Sequence, residues 1–346
     1  MKHNVKNHAV NSTPHNHFDT FKSKSTNFDW VQSGTRSMID LWMYNFARNI
    51  PDFLDGDNVR LLNAVKNNSK SLKKPNANHS AIVIGGGPSI YENNHLEILA
   101  DSDYNGAIVC TDRMLAPCLK NGITPKKFPR FFVLTMDPYQ ITIKFYQDSI
   151  IKKHGKGISA ILSTCTIHET VEICKKVGLN LFWYHPLIDD FRKTESVNKI
   201  MNMMSKSDKN PSGFPGMQTG GNVGCFSWIF SWAILGCSHI GLLGLNMGVD
   251  SKTPIEKTQH YDQVLNHFDN DKSKVSRRYR KVFNKDLGTE SLLDPVFDFY
   301  REAFLDLVVR APRWVNTINA TEGGSLFGKR IKNMKFTDFL NKYNDD

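Results

Sequence analysis

Ala81-Ile-Val-Ile-Gly-Gly-Gly-Pro-Ser89 is an apolar run that breaks abruptly into three glycines, a proline and a serine. A short β-branched run bounded by glycine suits a parallel strand covered on both faces. Gly85, Gly86 and Gly87 let backbone N–H groups approach an anion with no Cβ in the way, so a side chain at Gly87 is expected to fill the space where phosphate oxygens come in. Pro88 and Ser89 complete the cradle, and a helix starting near Ser89 would add its free N–H groups and dipole. The plainer alternative is a tight βα turn with no ligand. Gly85 and Gly87 match the first two glycines of the dinucleotide fingerprint, but Ile90 stands at the third position, and no Gly-Lys-Ser/Thr follows as in a P-loop. The stretch therefore points to a nucleotide or phosphate without naming the cofactor.

Downstream, an apolar strand over 106–110 ends at Thr111-Asp112. An acid at the end of the second strand of a βαβ unit stands where ribose hydroxyls are held; Asp112 also reads as the N-cap of a helix around 114–119. A third strand, 131–135, ends in Met136-Asp137-Pro138. Asp112 and Asp137 thus converge at one sheet edge, where two carboxylates are expected to hold Mg²⁺ against phosphates. A strand over 158–162, a helix over 167–177 and a strand over 181–184 ending at His185-Pro186 continue the alternation. Strand and helix repeated in this way predict an α/β fold with a mostly parallel sheet and ligands at the carboxyl ends of its strands. The Gly/Pro-rich stretch 205–222 ends in Thr219-Gly220-Gly221-Asn222 and reads as a lid or a simple excursion. A helix over 223–235, apolar all round and so buried, leads to a central strand over 240–245. Residues 251–290 are charged, with Arg277-Arg278-Tyr279-Arg280-Lys281 as the densest basic cluster, and read as a solvated face. A helix over 296–309 and a strand over 314–318 precede Asn319-Ala-Thr-Glu-Gly-Gly324, a tight turn that puts Glu322 beside another glycine pair.

The chain has 346 residues, enough for one principal domain with an appendage. A formal charge of +10 favours anionic partners such as nucleotides, but the lysines are spread along the chain as on a solvated surface, and nucleic acid is not expected as a partner. Six cysteines without a C-x-x-C pair, several inside apolar runs, predict reduced thiols and a cytoplasmic setting. No signal peptide and no membrane span are expected. Residues 1–26 read as a disordered polar leader whose histidines have no fixed geometry for a metal. Residues 27–78 read as a helical extension: Ile39, Trp42, Phe46 and Ile50 recur at helical spacing, Pro51 is expected to stop that helix, a short helical stretch covers 59–65, and a polar linker follows.

Ile82-Val-Ile-Gly-Gly-Gly-Pro-Ser89, Gly221-Asn-Val-Gly224 leading to Ala233-Ile-Leu-Gly-Cys237, Ile240-Gly-Leu-Leu-Gly-Leu245 and Asn319-Ala-Thr-Glu-Gly-Gly324 together resemble, in order and spacing, the archaeal type of the 6-hydroxymethylpterin diphosphokinase MptE-like family. The resemblance implies a Rossmann-like domain over 79–330 with the charged insertion at 251–290, and leaves 331–346 as a tail. It implies transfer of a diphosphate from ATP, with Mg²⁺, to the hydroxymethyl group of a dihydropterin. Two departures stand out: the nearest counterpart of the family's His-Gly-Asp stretch is His185-Pro186 before Asp189 and Asp190, and Asn246 stands where an Asp is usual. The long form with helices before the glycine strand is also similar to the flagellin-modifying Maf proteins, which implies a CMP-activated nonulosonic sugar as donor. In the first reading residues 85–89 cradle phosphates, Asp112 or Asp137 holds Mg²⁺, and Gly220, Gly221 and Asn222 close the pocket. Thr111, Asn246 and Glu322 fall on the nucleotide's side of the site. In the second, His260 or His185 is the general base for an acceptor hydroxyl. A third reading is a non-catalytic nucleotide-binding module, with Asn246 as its motive. Whether the chain forms a homo-oligomer stays open.

Overall fold

The structure, a computed structural model, describes residues 38–62 and 79–344; the expected leader over 1–26, the linker and the end of the 59–65 stretch lie outside them. Helix α1 (Ile39–Leu54) is followed by β1 (Asp57–Asn58) and a 3₁₀ turn over Val59–Leu62. The glycine strand is β2 (Ser80–Ile84), with α2 (Ser89–Glu92) and α3 (His95–Asp101) behind its turn. Then come β3 (Ala107–Thr111), α4 (Asp112–Lys120), β4 (Phe131–Thr135), α5 (Ile141–Tyr146), α6 (Ser149–His154), β5 (Ser159–Ser163), α7 (His168–Lys176) and β6 (Asn180–Pro186). After α8 (Val197–Met204) and β7 (Gly216–Met217), the apolar helix α9 (Val223–Ala233) leads to β8 (His239–Leu243). An inserted unit holds β9 (Val249–Asp250), α10 (Tyr261–His267), α11 (Lys272–Ser276), β10 (Arg280–Asn284) and β11 (Thr289–Leu293). The chain closes with α12 (Pro295–Arg310), β12 (Asn316–Asn319), β13 (Ile331–Asn333) and α13 (Phe336–Lys342).

The main sheet runs β1-β6-β5-β4-β3-β2-β8-β12-β13, with β7 beside β6, and every pairing in it is parallel. From β2 the chain steps outward through β3, β4, β5 and β6, then returns to lay β8 on the other side of β2. Strand order reverses there, and in an open α/β sheet the crevice outside the carboxyl ends at such a switch is where ligands sit. The alternation in β2 explains its continuous apolar character. Ile82 and Ile84 pack on one face with Phe46, Leu96, Met114 and Phe336, while Ala81 and Val83 pack on the other with Phe226, Phe230 and Phe304. Helix α9 is apolar all round because it lies between the sheet and α12: Phe226 stacks on Tyr184 at 4.2 Å, and Trp228 meets Phe304 edge-on at 5.2 Å. The fold is thus a Rossmann-like α/β fold with an N-terminal helix. Among the described residues no helix is long and apolar enough to cross a membrane, and all six cysteines are free and buried.

Three expectations need correction. Pro51 does not stop α1, which continues to Leu54 because Phe53, fully buried, anchors the last turn against Phe46, Trp183 and Phe214 at 5.1, 6.0 and 5.5 Å. The stretch 205–222 is no plain loop: β7 adds to β6, and α8 precedes it. The basic cluster lies at the surface as expected, Arg277, Arg280 and Lys281 being exposed, with Arg280 2.8 Å from Glu302 and also paired with Asp298, and Arg278 over the ring of Phe268. Residues expected as a tail belong to the fold, since β13 pairs with β12 while Phe336 and Phe339 are fully buried.

Candidate active site

The turns after β2 and β8 are hydrogen-bonded to each other, the amides of Gly85 and Gly87 donating at 2.8 Å to the carbonyls of Leu243 and Gly244. This contact needs glycine for a reason other than the one expected from sequence. A Cβ on Gly87 would lie 2.1 Å from Asn246 Oδ1 and 2.5 Å from the Gly244 carbonyl oxygen, so Gly87 is where two backbones meet. Gly86 is the exposed glycine; a Cβ there would meet only Arg113 and Met114, at 3.4 Å or more. Ser89 is buried behind the turn and donates its hydroxyl to Asn246 Oδ1 at 2.8 Å, so both side chains tie the switch point together.

Beyond these turns lies a cleft of about 1230 Å³. Gly85, Gly86, Gly87, Pro88, Thr111, Asp112, Asp137, Gly221, Asn222, Asn246 and His260 all line it, which brings most of the sequence candidates to one place. Arg113, which the sequence reading passed over, also lines it, directly after Asp112 and beside Gly86. The amino end of α9 faces the same space: Asn222 caps it, its Oδ1 accepting the Cys225 amide at 2.9 Å, and Gly221, at φ 86°, packs where a Cβ would strike Tyr300. Free N–H groups at the start of that helix and the Arg113 guanidinium supply positive character for an anion.

Ser89, His185, Gly220 and Glu322 are the sequence candidates that do not line the cleft. His185 is 2% exposed; its Nδ1 lies 3.0 Å from Thr164 Oγ1 and its Nε2 3.2 Å from Asn198 Oδ1, and burial pushes its pKa down to about 4. It is a neutral packing residue rather than a base open to substrate. Glu322 reaches away to accept the Phe336 amide at 2.9 Å, fixing the start of α13. Gly220 packs against Cys225 and Leu307.

The two acids, at the ends of β3 and β4, are close enough to act on each other's charge. Asp112 is not an N-cap but the first residue of α4; its Oδ1 accepts the Arg113 amide at 2.8 Å, while Oδ2 is buried near the Thr135 hydroxyl and has no hydrogen-bond partner within normal geometry among the described residues. Burial, and then the neighbouring Asp137, push the Asp112 carboxyl up to about 8; burial pushes Asp137 up to about 6. Helix α1 supports this corner, because the buried Asn45 amide donates to the Pro138 carbonyl at 3.1 Å. An unpartnered carboxylate oxygen beside a second acid fits a hard divalent cation, whose oxygen preference and charge suit both groups.

Across the cleft stands His260, delivered by the inserted unit. Its Nδ1 lies 2.8 Å from Asp294 Oδ2, and Asp294, 1% exposed, is itself fixed by accepting the Val296 and Phe297 amides at 2.9 Å as the N-cap of α12. A carboxylate only accepts, so Nδ1 carries the proton and Nε2, 3.3 Å from the Gln259 amide nitrogen, is the acceptor nitrogen. Asp294 is the functional partner that sequence reasoning missed. Its only local signal is Asp-Pro before a helix, which reads as a cap.

Comparison of the fold finds similarity to the Maf glycosyltransferase structure from Magnetospirillum magneticum AMB-1, at 13% identity and a TM-score of 0.49, covering 82% of this chain and 38% of that one. No curated protein matches the sequence. Residues 44–252, more than half of the chain and including both turns at the switch point, match the family profile described as 6-hydroxymethylpterin diphosphokinase MptE-like. The chain therefore belongs to the MptE-like family.

Proposed function

We propose that the protein is a nucleotide-dependent transferase that moves a group from a nucleotide donor onto an acceptor hydroxyl. The observation that carries this reading is that the His260–Asp294 pair opens onto the same cleft as the glycine turn. In this reading the donor's phosphates lie against Gly86, Arg113 and the amino end of α9. His260 Nε2, freed from Gln259, takes the proton of the acceptor hydroxyl as the oxygen forms its new bond to the donor. Asp294 stabilises the imidazolium and holds the ring in place. The bond that breaks leaves its electron pair on the nucleotide phosphate, where Arg113 meets the charge. A base aligned in this way supports catalysis over binding alone.

The donor has two forms. Family membership and the acids favour ATP, with the P–O bond to AMP broken and a diphosphate transferred. Asp112 and Asp137 would hold Mg²⁺, which supplies neutralisation of phosphate charge. The His260–Asp294 pair favours a second form, a CMP-activated nonulosonic sugar, because base chemistry on the acceptor needs no metal. The test is AMP release from ATP with a hydroxymethyl dihydropterin, and CMP release from a CMP-sugar, for wild type, Asp112→Asn and Asp137→Asn, with and without chelator. Chelator-sensitive AMP release that falls by about 10²-fold or more in an Asp variant supports the first form. Chelator-resistant CMP release replaces it with the second, and release of neither nucleotide overturns the transferase reading.

A further inference from the structure

The part of the cleft wall supplied by the inserted unit has a pattern of its own. Gln259, His260, Gln263, Asn266 and His267 all line the cleft. Their spacing of one, four, seven and eight residues from Gln259 is one face of the helix α10 and the turn before it. The other face is apolar: Tyr261 and Val264 are buried against Val275. This is an amphipathic helix whose cleft-lining residues are amides and imidazoles; its one carboxylate, the exposed Asp262, is not among them. Gln263 and Asn266 are exposed and make no side-chain hydrogen bond among the described residues. Beside this face lies an aromatic patch: Phe297 meets His260 edge-on at 5.0 Å, and Phe299 and Tyr300 continue it.

We infer that the acceptor subsite takes a neutral carbohydrate, held by the amide face of α10 with its ring against Phe297 and Tyr300. The inference rests on the transferase reading and names the acceptor class for the same cleft. An amide side chain both donates and accepts, as each sugar hydroxyl does, so Gln263 and Asn266 can meet neighbouring hydroxyls without leaving a lone pair or a proton unmatched. A phosphorylated or carboxylated acceptor would call for cations, and the arginine that lines the cleft, Arg113, stands beside Gly86 at the glycine turn rather than on α10. A peptide acceptor would be read by its main chain along a strand edge, whereas this cleft lies across strand ends. The sugar's C–H faces suit the aromatic patch, and His260, edge-on to Phe297 and beside the Gln259 amide, would meet one hydroxyl at Nε2. At about 1230 Å³ the cleft exceeds the ~300–1,000 Å³ of a typical single-ligand site, leaving room for an acceptor beside a nucleotide.

The test is saturation-transfer NMR on the full chain with cellobiose and lactose as probes, and with a Ser/Thr-rich heptapeptide and 6-hydroxymethyl dihydropterin as rivals. Nucleotide affinity is measured calorimetrically on the same samples. Saturation of at least one disaccharide is expected, weakened at least about ten-fold by Gln263→Ala with Asn266→Ala, with nucleotide affinity unchanged. Saturation of the peptide or the pterin alone, of none of the four, or of disaccharides equally in the double variant overturns the carbohydrate inference. Nucleotide binding is read separately: if it persists while the disaccharide fails, only the acceptor class falls, and if it is absent from the wild type, the transferase reading falls too.

Discussion

The end of β6 and the start of the inserted unit each present a histidine, and each ring is engaged at both nitrogens. His185 sits between Thr164 and Asn198, two neutral partners, in a buried corner edge-on to Phe46. His260 sits between a buried carboxylate and an exposed amide, with its side chain 15% exposed at the cleft. The difference lies in the partner's charge and in what the second nitrogen faces. Neutral partners and full burial hold a ring in one state, whereas a carboxylate behind and a displaceable amide in front prepare a ring to accept a proton.

The largest expected effect is on the second histidine. His260→Ala should lower turnover by about 10²–10⁴-fold while leaving nucleotide affinity intact, measured as steady-state nucleotide release alongside calorimetry. His185→Ala should leave turnover per folded molecule nearly unchanged, and a kinetic loss as large as that of His260→Ala would erase the distinction. Next, Asp294→Asn keeps a good N-cap but removes the charge behind His260, so turnover should fall roughly 10–100-fold with little change in melting temperature. If stability fell and turnover did not, Asp294 would be a cap and no more. The same His185→Ala protein should lose about 2–3 kcal/mol in denaturant unfolding, because the buried Thr164 and Asn198 groups lose their partner and a cavity opens.

The smallest effect concerns the acids. Folded pKa values of about 8 for Asp112 and about 6 for Asp137 lie above the unfolded carboxylate value, so the folded chain binds more protons than the unfolded one from about pH 4 to 8. Their contribution to stability is full below about pH 4 and is lost as pH rises through those two values, chiefly through Asp112, the more deeply buried. A cation there competes with the protons. Magnesium should therefore raise the melting temperature by roughly 2–5 °C at pH 8 and by less at pH 5. An equal shift at both pH values would remove the acids as its site.

The parallel sheet was legible because its inner strands are short apolar runs, and their length and flanking turn residues separate them from the longer helical stretches between. Glycines at the ends of two strands marked turns that the fold then brings together at the switch point. What sequence did not convey was direction. Ser89 belongs to the cradle motif yet is buried against Asn246, Gly87 lines the cleft but is needed for its approach to Asn246 and the Gly244 carbonyl, and Glu322 turns toward α13. The chemistry of His260 was also hidden, since its partner is 34 residues away across two strands and two helices. Helix α8 was missed because its eight residues, mostly Asn, Lys and Met, are too short a run for apolar periodicity to show, and the segment between His185-Pro186 and residue 205 reads as no element.

The claim that all of this depends on is that the glycine turn receives a nucleotide's phosphates, and Gly86 is the position that tests it without disturbing the switch point. Calorimetric titration of ATP with Mg²⁺, and of CMP, into wild type and Gly86→Val should show binding of one nucleotide by the wild type. The variant should bind it at least about ten-fold more weakly at an unchanged melting temperature, because the added side chain enters the open cleft. Equal affinity in the two proteins would contradict the account.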